Sequence, residues 1–215
     1  MKKTSLLVYF LLPGMLASVF AQQLEVIPDL SKVKESGTWA IYNREATYDG
    51  EVHINGKPGD GLLRLTGSNF MNGQIELDIK GKDEQGMSFV GLAFHGLNDS
   101  TYDAIYFRPF NFKSPQRDGH SVQYIAHPLH TWNKLRDEHP GVYENKVSPV
   151  PEPSGWFHAS IVVKYPVVEV FINNSNKPSL TINQLSNQKA GWVGFWVGNN
   201  SEGYFKNLKI ITKNN

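Results

Sequence analysis

The sequence predicts an all-β fold, built as a sandwich or barrel. Three observations carry this. Short alternating runs bounded by Gly, Asn, Asp or Pro recur along the chain. Helical periodicity is almost absent. The 215 residues contain no cysteine, so a core of ordinary size must hold the fold without disulfides or thiolate-bound metal.

The elements follow in order. Met1 to Ala21 has a basic start at Lys2-Lys3, a short apolar stretch broken by Pro13-Gly14, and the ending Val19-Phe20-Ala21. It is predicted to be a secretory signal peptide cleaved after Ala21, giving a periplasmic or extracellular protein. The stretch is too short and broken to span a bilayer, which takes about 20 apolar residues. Residues 22–215 are then one domain, with no later segment that could cross a membrane. Strands are expected over Thr38 to Tyr42, Glu51 to Ile54 and Gly61 to Thr66. Gly73 to Lys80 is the clearest, with Ile75, Leu77 and Ile79 alternating against Gln74, Glu76, Asp78 and Lys80. Further strands are expected over Ser88 to His95, Tyr102 to Arg108, Ser121 to Ala126, Phe157 to Lys164, Val167 to Asn173, Gly191 to Val197 and Tyr204 to Thr212. Residues 131–155 differ: four prolines and little alternation make a long excursion, with a short helix predicted over Trp132 to Glu138.

Charge narrows the function. Of 21 basic residues, loss of Lys2 and Lys3 leaves 19 against 20 acidic. That balance argues against nucleic acid and against an anionic membrane surface as partners.

Several segments together carry a resemblance. They are Phe70-Met71-Asn72-Gly73-Gln74-Ile75-Glu76-Leu77-Asp78-Ile79, Val90-Gly91-Leu92-Ala93-Phe94-His95, Tyr102-Asp103-Ala104-Ile105-Tyr106-Phe107-Arg108-Pro109, Gly191-Trp192-Val193-Gly194-Phe195-Trp196 and Tyr204-Phe205-Lys206-Asn207-Leu208-Lys209-Ile210. This order resembles the concanavalin A-like lectin/glucanase superfamily, and within it the secreted bacterial domains called family 16 glycoside hydrolase-like or 3-keto-disaccharide hydrolase-like. The resemblance implies a two-sheet antiparallel jelly roll with roughly six or seven strands per sheet and a sugar on the concave face. Retaining glycosidases of that superfamily carry a second Glu two or three residues after the Glu-x-Asp pair. After Glu76-Leu77-Asp78 those positions are Lys80 and Gly81, so an ordinary glucanase mechanism is not expected.

Strand parity sets Tyr102, Ala104, Tyr106 and Arg108 on one face and Asp103, Ile105 and Phe107 on the other. An arginine fork beside an aromatic can hold hydroxyls or a carboxylate. Tyr106, Arg108, Asn111, Gln123, Trp132 and Trp196 are therefore candidates for sugar contact. The alternative for Arg108 is a structural ion pair at the strand end. Trp192 shares a strand face with Trp196, so both are candidates for a stacking platform, with a core role as the alternative. His95 and Asp103 are weak acid/base candidates, and His95, Arg108 and Gln123 are expected to converge if their strands are neighbours. No cofactor is expected. Calcium at Asn98-Asp99 or Asp49-Gly50 stays open, and a metal on His127, His130 and His139 is disfavoured. Binding module, carbohydrate-active enzyme and non-catalytic adhesion or structural module all remain open.

Overall fold

A computed structural model describes residues 23–213. The segment read as a signal peptide lies outside the described residues. Among the described residues fifteen strands form two antiparallel sheets packed face to face.

One sheet has eight strands. Its path runs β13 (Leu180–Asn183), β12 (Val167–Ile172), β11 (Phe157–Lys164), β6 (Gly73–Lys80), β15 (Gly203–Lys213), β4 (Val52–Ile54) and β3 (Ala46–Tyr48). β1 (Gln23–Val26) joins the far half of the long β15, pairing Val26 with Ile210. The other sheet has seven strands: β10 (Glu144–Asn145), β9 (Val122–His127), β8 (Thr101–Phe107), β7 (Val90–Asn98), β14 (Trp192–Val197), β5 (Gly61–Leu65) and β2 (Trp39–Tyr42). One helix, α1 (Trp132–Glu138), lies over the edge of this second sheet, where the sequence predicted it.

Alternation explains the layers. In β6, Ile75, Leu77 and Ile79 are buried while Gln74, Glu76, Asp78 and Lys80 are half-buried on the outer face. There Glu76 accepts an ion pair from Lys209 at 2.6 Å, and Asp78 accepts from His158 at 2.8 Å and Asn207 at 2.6 Å. This is a solvated, charge-paired strand face, on the sheet that does not carry the groove described below. Facing Ile75, Leu77 and Ile79 across the sandwich are Leu92, Phe94, Ile105, Phe107, Tyr124 and Phe195, all buried. Phe107 and Phe157 meet edge to face at 5.0 Å, and Phe195 stacks on Phe205 at 4.6 Å, so aromatics from both sheets fill the middle. Each such ring removes enough apolar surface to contribute about 1.5–3 kcal/mol.

Turn chemistry closes the hairpins. Asn173 and Asn174 both adopt positive φ, 49° and 58°, in the turn after β12. Asn tolerates that left-handed conformation better than any β-branched residue would.

Candidate functional site

The outer face of the seven-stranded sheet carries a groove of about 580 Å³. Register builds its floor. Tyr106 pairs with Gln123 and Tyr102 with His127 between β8 and β9. Ile125 lies between Gln123 and His127 on the same face, and it lines the groove.

Tyr106 and Trp196 come from strands that are not neighbours, since β7 separates them. Strands two apart stand roughly 9.6 Å from each other, yet these rings meet at 4.9 Å, tilted by 40°. The residue paired with both is Gly91. With no side chain between them, the rings lean over β7 and touch. A Cβ at Gly91 would lie 2.1 Å from the Ile105 carbonyl oxygen and 2.6 Å from Tyr106 Cα.

Arg108, just past β8, organises one end. It donates to the Tyr106 hydroxyl and to Gln123 Oε1, and to the His120 carbonyl at 3.0 Å. The Tyr106 hydroxyl donates to Gln123 Oε1 at 3.0 Å, and Gln123 Nε2 donates to the Trp132 carbonyl at 3.2 Å. Asn111 donates to the same His120 carbonyl at 3.1 Å and accepts from Arg117 Nε at 3.1 Å. Behind this cluster sits Glu144, 3% exposed. Arg136 grips it with two bonds of 2.9 and 2.6 Å, His120 lies at 2.8 Å and Arg108 at 3.6 Å. Burial pushes Glu144 up, but the bonds and charges of Arg136 and His120 outweigh it and hold the carboxyl below its ordinary value. Burial draws Arg108 down, opposed by Tyr106 and Glu144, and burial pushes the Tyr106 hydroxyl up to about 12. Arg108 thus lines the groove and is also a buried cation whose Nη1 and Nη2 are both partnered.

Trp196 and Tyr106 are only 4% and 2% exposed. The open platform expected at Trp196 is thus largely covered by its contact with Tyr106. Trp192 leaves the groove altogether and packs its indole against Gly96, where a Cβ would stand 2.0 Å from the ring. The open aromatic is Trp132 on α1, 49% exposed, with the Arg136 guanidinium 5.2 Å from the ring centre.

The other end of the groove holds Asp60 and His127. Tyr102 donates to Asp60 Oδ2 at 3.1 Å and receives the Trp196 indole N–H at 3.2 Å. The His127 ring stacks on Tyr102 at 5.2 Å, with Nε2 3.6 Å from Asp60 Oδ2. Burial lowers the His127 pKa, and Asp60 partly opposes that.

His95 and Asp103 do not line the groove; for His95 this corrects the expected convergence with Arg108 and Gln123. Their strands are neighbours as required, but the register shifts between Phe94 and Asn98. His95 sits in that irregularity at φ 50°. Such a bulge re-aims a side chain, and here Nε2 reaches the Met71 carbonyl at 2.7 Å while Nδ1 meets Gln184 Nε2 at 3.0 Å. Asp103 lies on the intersheet face of β8, accepting from the Tyr124 hydroxyl, from Ser186 Oγ at 2.6 Å and from Gln184 at 3.2 Å. Both belong to a buried polar network at one end of the sandwich.

Among the described residues no cluster of three or more His, Cys, Asp or Glu could hold a metal ion. Asp99, one of the open calcium positions, lies 3.3 Å from Arg64 Nε. No helix of the described residues is long and apolar enough to cross a membrane.

Residues 29–211 match the 3-keto-alpha-glucoside-1,2-lyase-like domain. The chain belongs to that family. Among curated proteins none matches it. Solved structures share this lyase-like domain's fold. The carbohydrate binding module CBM66 from Bacillus subtilis aligns with a TM-score of 0.59 at 15% identity, covering 80% of this chain and 95% of that one. A Bacillus subtilis protein of unknown function with a galectin-like fold gives 0.57 at 13%, covering 87% and 93%. The mannose- and calcium-bound VIP36 exoplasmic/lumenal domain gives 0.57 at 11%, covering 88% and 89%. At these identities the likeness establishes the jelly-roll fold.

Proposed function

We propose that this is an exported single jelly-roll domain, residues 22–215 after removal of a signal peptide at 1–21, that binds a carbohydrate in the groove on the seven-stranded sheet. The observation that carries the reading is the groove itself: a volume suited to a small ligand, a floor of aromatic and aliphatic side chains, and polar groups gathered at both ends. Trp132 offers a face for a sugar ring, the edges of Tyr106 and Trp196 meet it from below, and Arg108, Asn111 and Gln123 hold that end in shape. The family's description supports a 3-keto-glucoside as the sugar. The carbohydrate binding module and the mannose-bound VIP36 domain among the fold's relatives point the same way.

The two ends differ in position by four residues along β8 and β9, which corresponds to about 13 Å. That reach suits a disaccharide better than one ring. One observation favours a second reading, a structural or adhesion module: Tyr106, Arg108 and Gln123 already satisfy one another, and the Trp196 N–H is taken by Tyr102. Titrating the protein with 3-keto-trehalose and with trehalose, followed by tryptophan fluorescence, separates the two. Saturable binding that Trp132→Ala removes supports carbohydrate recognition. No binding to either sugar favours the structural module.

A further inference from the structure

We infer that the sugar bound in this groove carries a negatively charged substituent, held by Arg117 and Arg136 at the end where Arg108 and Trp132 lie. The inference rests on the groove being the sugar site, and it adds a class of ligand to that reading.

Charge is spread unevenly along the groove. Among the described residues its lining holds three arginines, Arg108, Arg117 and Arg136, and one carboxylate, Asp60. The arginines gather at one end. Arg108 and Arg136 share Glu144 behind the groove wall, and Arg117 is bonded to Asn111, which shares the His120 carbonyl with Arg108. Asp60 lies at the other end, about 13 Å away along the strands. Exposed Asp137 acts on Arg136 from outside the lining. Even with Asp137 counted beside Glu144, the guanidinium groups at this end outnumber the carboxylates. The excess is felt within the cluster: burial draws Arg108 down, and the charge of Arg136 also draws it down.

Donors remain open where the charge is in excess. Arg108 uses both Nη1 and Nη2 on the protein. Arg117 does not. Its Nε donates to Asn111 Oδ1 at 3.1 Å, and among the described residues its Nη1 and Nη2 have no protein partner and it makes no ion pair. Asn111 is 3% exposed and donates to the His120 carbonyl, so the stem of this fork is anchored in the wall. Arg136 spends Nε and Nη2 on Glu144 and leaves Nη1 open. A neutral hydroxyl could accept from one of these nitrogens. It would displace water from the cluster and leave the excess charge uncompensated, which is costly. An oxyanion accepts from a fork and cancels charge together. Asp60 would repel the same group at the far end, so the polarity also fixes which way round the ligand lies.

The test uses the full mature chain and three ligands of one shape: trehalose, its mono-uronate with one C6 oxidised to a carboxylate, and trehalose 6-phosphate. Binding is read by tryptophan fluorescence. At least one of the anions should bind about 10- to 100-fold more tightly than trehalose at low salt, the range for hydrogen bonds to charged groups. The tighter of the two identifies the anion as carboxylate or phosphate. That preference should shrink between about 0.05 and 0.5 M salt, because the cluster is partly open to solvent. Arg117→Gln removes a half-exposed side chain with one bond to the protein, and it should abolish most of the preference. Equal affinity for all three ligands overturns the inference and leaves sugar recognition standing. So does a preference undiminished by salt or by Arg117→Gln. Absence of binding by these ligands and by 3-keto-trehalose overturns both.

Discussion

Asp103 gives a quantitative test of the intersheet packing. Its side chain is fully buried. Burial pushes its pKa up to about 6 from 3.8, against the hydrogen bonds of Ser186, Tyr124 and Gln184, which draw it down. The folded protein therefore holds this proton more tightly than the unfolded chain does. Below the unfolded value both states carry the proton, and above the folded value neither does. Between them folding takes up a proton, so stability falls as pH rises. The gap is worth about 3 kcal/mol at about 1.36 kcal/mol per pH unit. Asp103→Asn removes this titration and leaves the other ionising groups in place. Urea midpoints for both proteins, taken at intervals from about pH 4 to about pH 7, give the difference directly. Glu144 and Glu202, held below their ordinary values, act in the opposite sense but cancel in that difference. The variant should gain on the native protein by up to about 3 kcal/mol across the window, whatever constant offset the amide introduces. A flat difference would refute the reasoning, because Asp103 would then ionise in the folded state as it does in water.

Three further outcomes are expected. Arg108→Ala should lower stability by about 3–5 kcal/mol, read by urea denaturation, because it strips a buried cation from the Glu144 and Gln123 network. Gly91→Val should cost at least about 1–3 kcal/mol and change the near-ultraviolet circular dichroism, as the new side chain meets the Ile105 carbonyl and separates Tyr106 from Trp196. Trp132→Ala, at a half-exposed position, should leave the melting temperature nearly unchanged while removing sugar binding.

The strands whose limits were read best from the sequence are those long enough to show period-two alternation. Gly73–Lys80 and Phe157–Lys164 match the expected limits residue for residue. β1, β3, β10 and β13 were not expected, being two to four residues long; β10 also lies within the proline-rich excursion. Parity along β8 put Tyr106 and Arg108 on one face; Gln123 joins them through the β8–β9 register, which alternation alone does not set. It failed at His95, where the register slips and a left-handed residue turns the ring inward. For Asp103 parity gave the correct face, and the acid/base candidacy came from its chemistry alone. Asp60 and Glu144 carried no sequence signal. One sits in a turn-rich loop and the other in the excursion, and only the closed fold brings them to the ends of the groove. His127 was weighed only as a metal ligand, although its spacing of four from Gln123 placed it on the same strand face.

The most direct test of the account is the structure of a crystal soaked with 3-keto-trehalose. The expected result is a disaccharide lying along the groove, one ring against Trp132 and the other within reach of Asp60 and His127. A sugar bound elsewhere, or an empty groove with the Tyr106, Arg108 and Gln123 network unchanged under saturating ligand, would contradict it.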